Sequence, residues 1–257
     1  MPTAQSSTLS LRKECALPKK GELRRRSRFG ARRHQEVRVF LQGPDKLGGM
    51  PDQKDLFSDS VLSPCGESVL APIRQKAMSC QACGLYQHRT KVVFGVGKAE
   101  NPPICFIGEG PGYNEDQEGL PFIGAAGKLL TKMIEAIGFS RDDVYICNIV
   151  SCRPPNNRKP LPEEIAACRD TLLGQLRAIR PKVLVALGGT AVEGLLGKEV
   201  QITKIRGKWL EFEGIPLMPT LHPAYLLRDA RRKADAWQDL QLVLAKLASL
   251  KEETRCA

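Results

Sequence analysis

No apolar run in this 257-residue chain approaches the roughly 18 residues of a membrane-spanning helix. That excludes a helical membrane protein. No apolar core of signal-peptide type stands near the N-terminus, so export is not expected. Without export, the nine cysteines do not read as a disulfide framework, and an odd number excludes complete pairing within one chain. Thiols in a reducing compartment point instead to metal ligation, catalysis or burial. No internal repeat is visible, and neither G-x-G-x-x-G nor a Walker A spacing occurs. A dinucleotide or ATP site is therefore not expected. Histidine is scarce, with His34, His88 and His222 only.

What is present is a foldable chain with a surplus of positive charge. Hydrophobic residues make up 42%, enough for a real core, and the formal net charge is +11. Residues 1–40 carry a net +8, residues 41–70 a net −3, and residues 71–257 the remaining +6. A basic surface attracts nucleic acid, anionic membranes or acidic ligands, and charge alone does not choose among them. Residues 1–70 read as a basic, disordered extension, with Gly43-Pro44, Gly48-Gly49 and Pro51 as breakers. The first 40 residues loosely match transit-peptide composition, but a solvated arm is the preferred reading. Val37 to Leu41 allows one short strand within it.

From residue 71 strands and helices alternate. Ile104–Gly108, Val144–Val150, Val183–Leu187 and a segment from Ile215 read as strands. Helices are expected over Ala126–Ile137 and Glu163–Ile179, from Thr190, and at the C-terminus. The last should bury Ala234, Trp237, Leu240, Leu244 and Leu247 on one face. This alternation predicts an α/β fold: a three-layer α/β/α sandwich around a mostly parallel four-stranded sheet, over residues 71–257. Ligands of such sheets bind beyond the carboxyl ends of the strands. Gly108–Gly112, Asn148, Gly188-Gly189-Thr190 and His222-Pro223 follow the four strands and should converge there.

The cysteines supply a second signal. Cys80-Gln-Ala-Cys83 is a CxxC knuckle whose best partners are Cys152, beyond the second strand, and Cys168, on the inward side of the next helix. Four thiolates there would bind zinc or an iron–sulfur cluster. Cys105 and Cys147 lie within strands and read as core residues. Cys15, Cys65 and Cys256 fall in the tails.

Three segments then carry a family likeness. Glu109-Gly-Pro-Gly-x-x-Glu115-Asp116 with Gly119-Leu-Pro-Phe122-Ile-Gly124 resembles the first motif of the family 4 uracil-DNA glycosylases. Asn148-Ile-Val-Ser-Cys152-Arg-Pro-Pro-x-Asn-Arg158-x-Pro160 resembles their second region, and His222-Pro-Ala-Tyr-Leu-Leu-Arg228 their DNA-inserting loop. The cysteine pattern is similar to that family's 4Fe–4S ligation, on Cys80, Cys83, Cys152 and Cys168. Tyr113 and Asn114 depart from the acids common in the first motif. The likeness covers about residues 71–250 and implies hydrolysis of the N-glycosidic bond of deoxyuridine in single- and double-stranded DNA.

The resemblance also implies roles that chemistry can check. Uracil must leave the stack before its bond is reachable. A donor aimed at uracil O2 stabilises the charge that develops as the base departs, and His222 is the candidate. Asn148 has an amide able to match uracil O4 and N3–H against cytosine's reversed edge. Phe122 offers a face for stacking. Glu115 corresponds to the residue near uracil C5, and Glu109 to the one that positions water. Backbone N–H groups around Gly110 face uracil O2 or a phosphate. Tyr225, Leu226 and Leu227 form an apolar wedge beside Arg228. Arg231 to Lys233 read partly as a solvated face, and Arg153 and Arg158 as lining the DNA channel or framing the cluster loop. No motif lysine is placed to form a Schiff base, as a monofunctional hydrolase requires.

The expected assembly is a monomer acting on uracil-containing DNA, cytoplasmic and nucleoid-associated, without membrane contact and with a replication sliding clamp as a candidate partner. The rivals are a glycosylase for another deaminated base, one that traps the abasic sugar, and a non-catalytic iron–sulfur DNA-binding protein. The basic insertion that marks the trapping group is absent before His222.

Overall fold

The structure is a computed structural model that describes residues 65–256. The expectations for residues 1–64, including the Val37–Leu41 strand, lie outside the described residues.

Four strands run parallel: β2 (Ile104–Gly108), β3 (Tyr145–Asn148), β4 (Val183–Leu187) and β6 (Ile215–Thr220). Two short strands add antiparallel edges, β1 (Val96–Gly97) beside β3 and β5 (Leu210–Phe212) beside β6. The order is β1-β3-β2-β4-β6-β5. The expected four-stranded sheet is thus the parallel centre of a six-stranded one. Two or three residues are too few to show a period, so the edges leave no sequence signal.

Side chains of the parallel strands alternate between two buried faces, as a two-residue period demands. Cys105, Ile107, Cys147, Leu184, Ala186 and Leu217 face one core. Helices α1 (Glu67–Met78), α4 (Pro162–Ile179) and α5 (Gly189–Leu196) cover that face through Leu70, Leu172, Leu176, Ala191 and Val192. Ile104, Phe106, Ile146, Val183, Val185 and Met218 face the other. It is closed by α3 (Ala125–Ala136) and α8 (Lys233–Cys256) through Leu130, Ile134, Leu240, Val243 and Leu247. Each such aliphatic side chain contributes about 1.5–3 kcal/mol on burial, which is what fixes the three layers. Short helices α2 (Tyr113–Glu118), α6 (Ile202–Ile205) and α7 (Pro223–Arg228) complete the chain.

Two boundaries shift. Helix α1 begins before the expected limit at residue 71, and Leu70 is fully buried. The acids and Pro72 of this stretch mask an amphipathic helix whose apolar residues reach the core. On α8 the buried stripe is Ala236, Leu240, Val243 and Leu247, while Trp237 is 43% exposed and Ala234 lies on the outer side. A helical face is about one residue in doubt when only its largest side chains are counted. Among the described residues no helix is long and apolar enough to cross a membrane.

Candidate active site

The carboxyl ends of β2, β3 and β6 open into one cleft of about 520 Å³. The loop after β2 contributes Glu109, Gly110, Gly112 and Glu115, followed by Phe122. The end of β3 contributes Asn148 and then Pro154, Asn157 and Arg158. His222, Tyr225 and Arg228 enter from the segment after β6. Every proposed catalytic and uracil-contacting residue therefore lies on one cavity. The Gly188-Gly189-Thr190 cluster does not line it. Instead, a Cβ at Gly188 would stand 3.1 Å from the Cβ of His222, so this glycine backs the histidine.

Glycine at 108 is dictated by its neighbours. A Cβ there would collide with the Asn148 amide oxygen and the Phe122 ring. The missing side chain lets both groups approach the strand end. The Phe122 ring is largely buried, 5.8 Å from the His222 ring and tilted by 35°. Asn148 is 4% exposed, and its buried Oδ1 has no hydrogen-bond partner among the described residues. A buried acceptor without a donor is costly, so its presence in a cleft marks a place for a ligand's N–H.

His222 caps α7, its Nδ1 accepting a hydrogen bond from the Ala224 N–H at 3.1 Å. An accepting Nδ1 puts the ring proton on Nε2. Burial, with a smaller push from the nearby Arg228 charge, lowers its pKa to about 4. The imidazole is thus neutral at pH 7 and offers one N–H.

The carboxylates differ. Glu109 lines the cleft, and its carbonyl accepts from the Val150 N–H. Glu115 Oε1 accepts the Ile123 and Gly124 N–H groups at 3.0 and 2.8 Å. It therefore ties the loop before α3. Asp116 is buried and accepts the Thr90 N–H at 2.8 Å, so it braces the fold. Arg158 forms a two-pronged pair with buried Glu164 at 2.8 and 2.6 Å, and Glu164 also accepts the Leu161 N–H. Arg153 stacks on exposed Tyr113, 5.1 Å from its ring centre. Arg231 pairs with Asp229, and Arg232 with Asp235.

One expected contact residue is corrected. Leu226 is 1% exposed and packs with Leu221 and Ala236, so it is not at the tip of the wedge. The segment is a helix, and a 100° step per residue turns Leu226 inward between its neighbours. Tyr225 and Leu227, at 36% and 47%, are the exposed apolar residues.

A second cavity lies on the other side of the β3–α4 connection. Cys80, Cys83, Cys152 and Cys168 all line it, together with Arg89 and Glu164. Arg89 donates to the Cys152 sulfur at 3.2 Å and to the Cys80 carbonyl at 2.8 Å. Burial pushes the Cys168 thiol up to about 11 and raises Cys152 as well. Among the described residues no three His, Cys, Asp or Glu side chains gather tightly enough to hold a single ion. The thiols ring a cavity instead. Cys105 and Cys147 sit apart from it, buried between strands with sulfurs 3.9 Å apart.

Sequence reasoning missed Arg89 and Arg141, which act through backbone carbonyls and leave no spacing signal. Pro154 and Asn157 were within reach, since both belong to the second motif.

Comparison with known proteins identifies the family. Residues 94–241 match the family model of the uracil DNA glycosylase superfamily. A type-4 uracil-DNA glycosylase of Thermotoga maritima is 49% identical over 165 residues, covering 63% of this chain and 85% of that protein. Its counterpart in Archaeoglobus fulgidus is 41% identical over 193 residues, covering 72% and 96%. That of Sulfurisphaera tokodaii is 48% identical over 169 residues, covering 62% and 76%. With most of each relative's length matched, the chain belongs to the uracil DNA glycosylase superfamily, in its type-4 group.

Proposed function

We propose that this chain is a DNA-repair glycosylase that hydrolyses the N-glycosidic bond of deoxyuridine in single- and double-stranded DNA, releasing uracil and leaving an abasic site. The observation that carries the reading is the buried, unpartnered Oδ1 of Asn148 in the same cleft as a neutral His222. Oδ1 accepts uracil N3–H, while the amide N–H₂ faces O4. Cytosine offers a bare N3 and an amino group there, so two donors would meet and two acceptors would meet.

The reaction then follows from where charge appears. Departing uracil builds negative charge on O2, and the His222 Nε2–H stabilises it without transferring a proton. The Phe122 face holds the flipped ring in plane. Glu109 orients water toward the sugar carbon and offsets its oxocarbenium charge. Tyr225 and Leu227 fill the gap in the stack, and Arg228 meets a flanking phosphate. No lysine lines the cleft among the described residues, so strand cleavage through a Schiff base has no nucleophile.

Four cysteine thiols lining one cavity are a donor set that suits a 4Fe–4S cluster, and Cys80, Cys83, Cys152 and Cys168 would hold it. When bound, the cluster supplies a cross-link between the Cys80–Cys83 segment, the Cys152 loop and α4. Hydrolysis itself consumes no electrons. The net +8 of residues 1–40 adds at most nonspecific DNA affinity. The protein acts as a monomer in the cytoplasm, with a sliding clamp as a candidate partner.

The test is incubation with a uracil-containing oligonucleotide, then alkali. Strand breaks at uracil only after alkali are expected. No break above the control rejects the activity, and breaks without alkali reject a monofunctional hydrolase.

A further inference from the structure

We propose that Arg141 is a positioning residue for the reaction, holding the Phe122 ring in the attitude from which it stacks on the flipped base. The inference rests on the excision reading above.

Phe122 is the one aromatic residue among the described residues with a backbone in the left-handed region, at φ +55°. A bulky side chain rarely stays there unless its surroundings impose it. Here both edges of its loop are held. Arg141 lies on the short turn before β3, outside the motifs, and its guanidinium reaches across to the loop. One nitrogen donates to the Pro121 carbonyl at 3.0 Å, and the other to the Phe122 carbonyl at 3.1 Å. The second also donates to Thr131 Oγ1 at 3.2 Å, and that hydroxyl donates to the Gly127 carbonyl at 3.1 Å. On the opposite edge Glu115 accepts the next two N–H groups.

The glycines of the site follow from the same constraint. A Cβ on Gly127 would collide with the Phe122 carbonyl, and one on Gly108 with its ring. The loop therefore sits where small residues permit, with its carbonyls turned to Arg141 and its ring turned to the cleft. A planar two-pronged donor fits two adjacent carbonyls, and a lysine ammonium does not reproduce that fork. Arg141 is half-buried, and among the described residues its hydrogen-bond partners are two backbone carbonyls and a hydroxyl, so carbonyl dipoles are its chief partners. It does not line the cleft that holds His222 and Asn148, and its influence runs through Phe122.

The experiment is a double-mutant cycle between Arg141→Lys and Phe122→Ala on the full chain, read by single-turnover excision from a uracil oligonucleotide and by DNA affinity. Arg141→Lys should lower the excision rate by roughly tenfold to a hundredfold, the scale of an ångström-sized misplacement. DNA affinity should stay within about threefold, because the cleft mouth is untouched. In the Phe122→Ala background the same change should cost less than about twofold, since the ring it positions is gone. A full penalty in that background overturns the proposal, as does an unchanged rate in the single variant. If Arg141→Lys fails to fold, Thr131→Val enters the same cycle and should show a smaller but equally non-additive loss. An additive loss there overturns the proposal too. Absence of uracil release by the wild-type chain overturns the excision reading and the proposal with it, whereas wild-type release with an unaffected Lys variant overturns the proposal alone.

Discussion

Replacing Asn148 with leucine should make the protein more stable and inactive. The two side chains share a branch at Cγ, so the swap is close to shape-conserving. In the native fold Oδ1 is buried against Gly108 and the Phe122 ring, with no donor in reach among the described residues. Relief of a buried, unsatisfied polar group is worth about 1–3 kcal/mol. In a domain of this size each kcal/mol moves the midpoint by about 2–4 °C, so the expected rise is about 2–12 °C. The same change removes the acceptor for uracil N3–H and the donor for O4. Excision should fall at least on the order of 10²-fold, the usual effect of deleting one preorganised polar contact. Urea denaturation and single-turnover excision on one preparation decide the matter. Loss of stability together with loss of activity would show that the amide serves the fold, and retained excision would show that it does not read the base. Either result refutes the argument from the orphaned oxygen.

Other outcomes follow from the same geometry. Because His222 titrates near pH 4 and acts as a neutral donor, its contribution to the excision rate should stay flat down to about pH 5, with the acid limb near 4 rather than 6.5. In the unfolded chain this histidine protonates near 6.5, so stability should decline as pH falls from 6.5 toward 4, by on the order of 3 kcal/mol, and level off below. His222→Asn keeps a side-chain acceptor for the Ala224 N–H and should flatten that decline in denaturation curves taken across the range. Glu164→Gln should destabilise by about 1–2 kcal/mol at pH 7, and the difference should shrink in acid, because Arg158 holds the carboxyl below its ordinary range. Cys168→Ser should abolish bound iron, while Cys105→Ser should retain it, by iron quantitation of anaerobic preparations. Deleting residues 1–64 should flatten the dependence of DNA affinity on salt without abolishing excision.

What was legible in the sequence follows a physical divide. Parallel strands buried on both faces are continuous apolar runs, so β2, β3, β4 and β6 stand out. The polar groups at their ends stand out with them, which is how Asn148 and His222 came to be paired across 74 residues. Edge strands β1 and β5 carry no such pattern. Leu226 was misread because a short helix looks like an apolar cluster until its rotation is known. Tyr225 and Leu227 flank it and point the other way. The thiol ring was legible because the CxxC spacing of Cys80 and Cys83 marks a ligand pair in need of two more thiols.

Arg141 marks the limit of that legibility, and the reason is chemical. An arginine that binds carbonyls recognises backbone, and backbone has no letter in the sequence. What it stabilises is equally silent, a phenylalanine forced to φ +55°. Local rules break at three points: this backbone, the unpartnered oxygen of Asn148 and the discharged imidazole of His222. All three lie on one cleft. Each is unfavourable to the isolated fold and tolerated because surrounding structure over-determines it. A flipped base would supply the N–H that Asn148 lacks and the oxygen that His222 faces, and would lie on the ring that Arg141 holds. The features that cost the fold stability are therefore the ones a bound uracil satisfies, which is why they coincide.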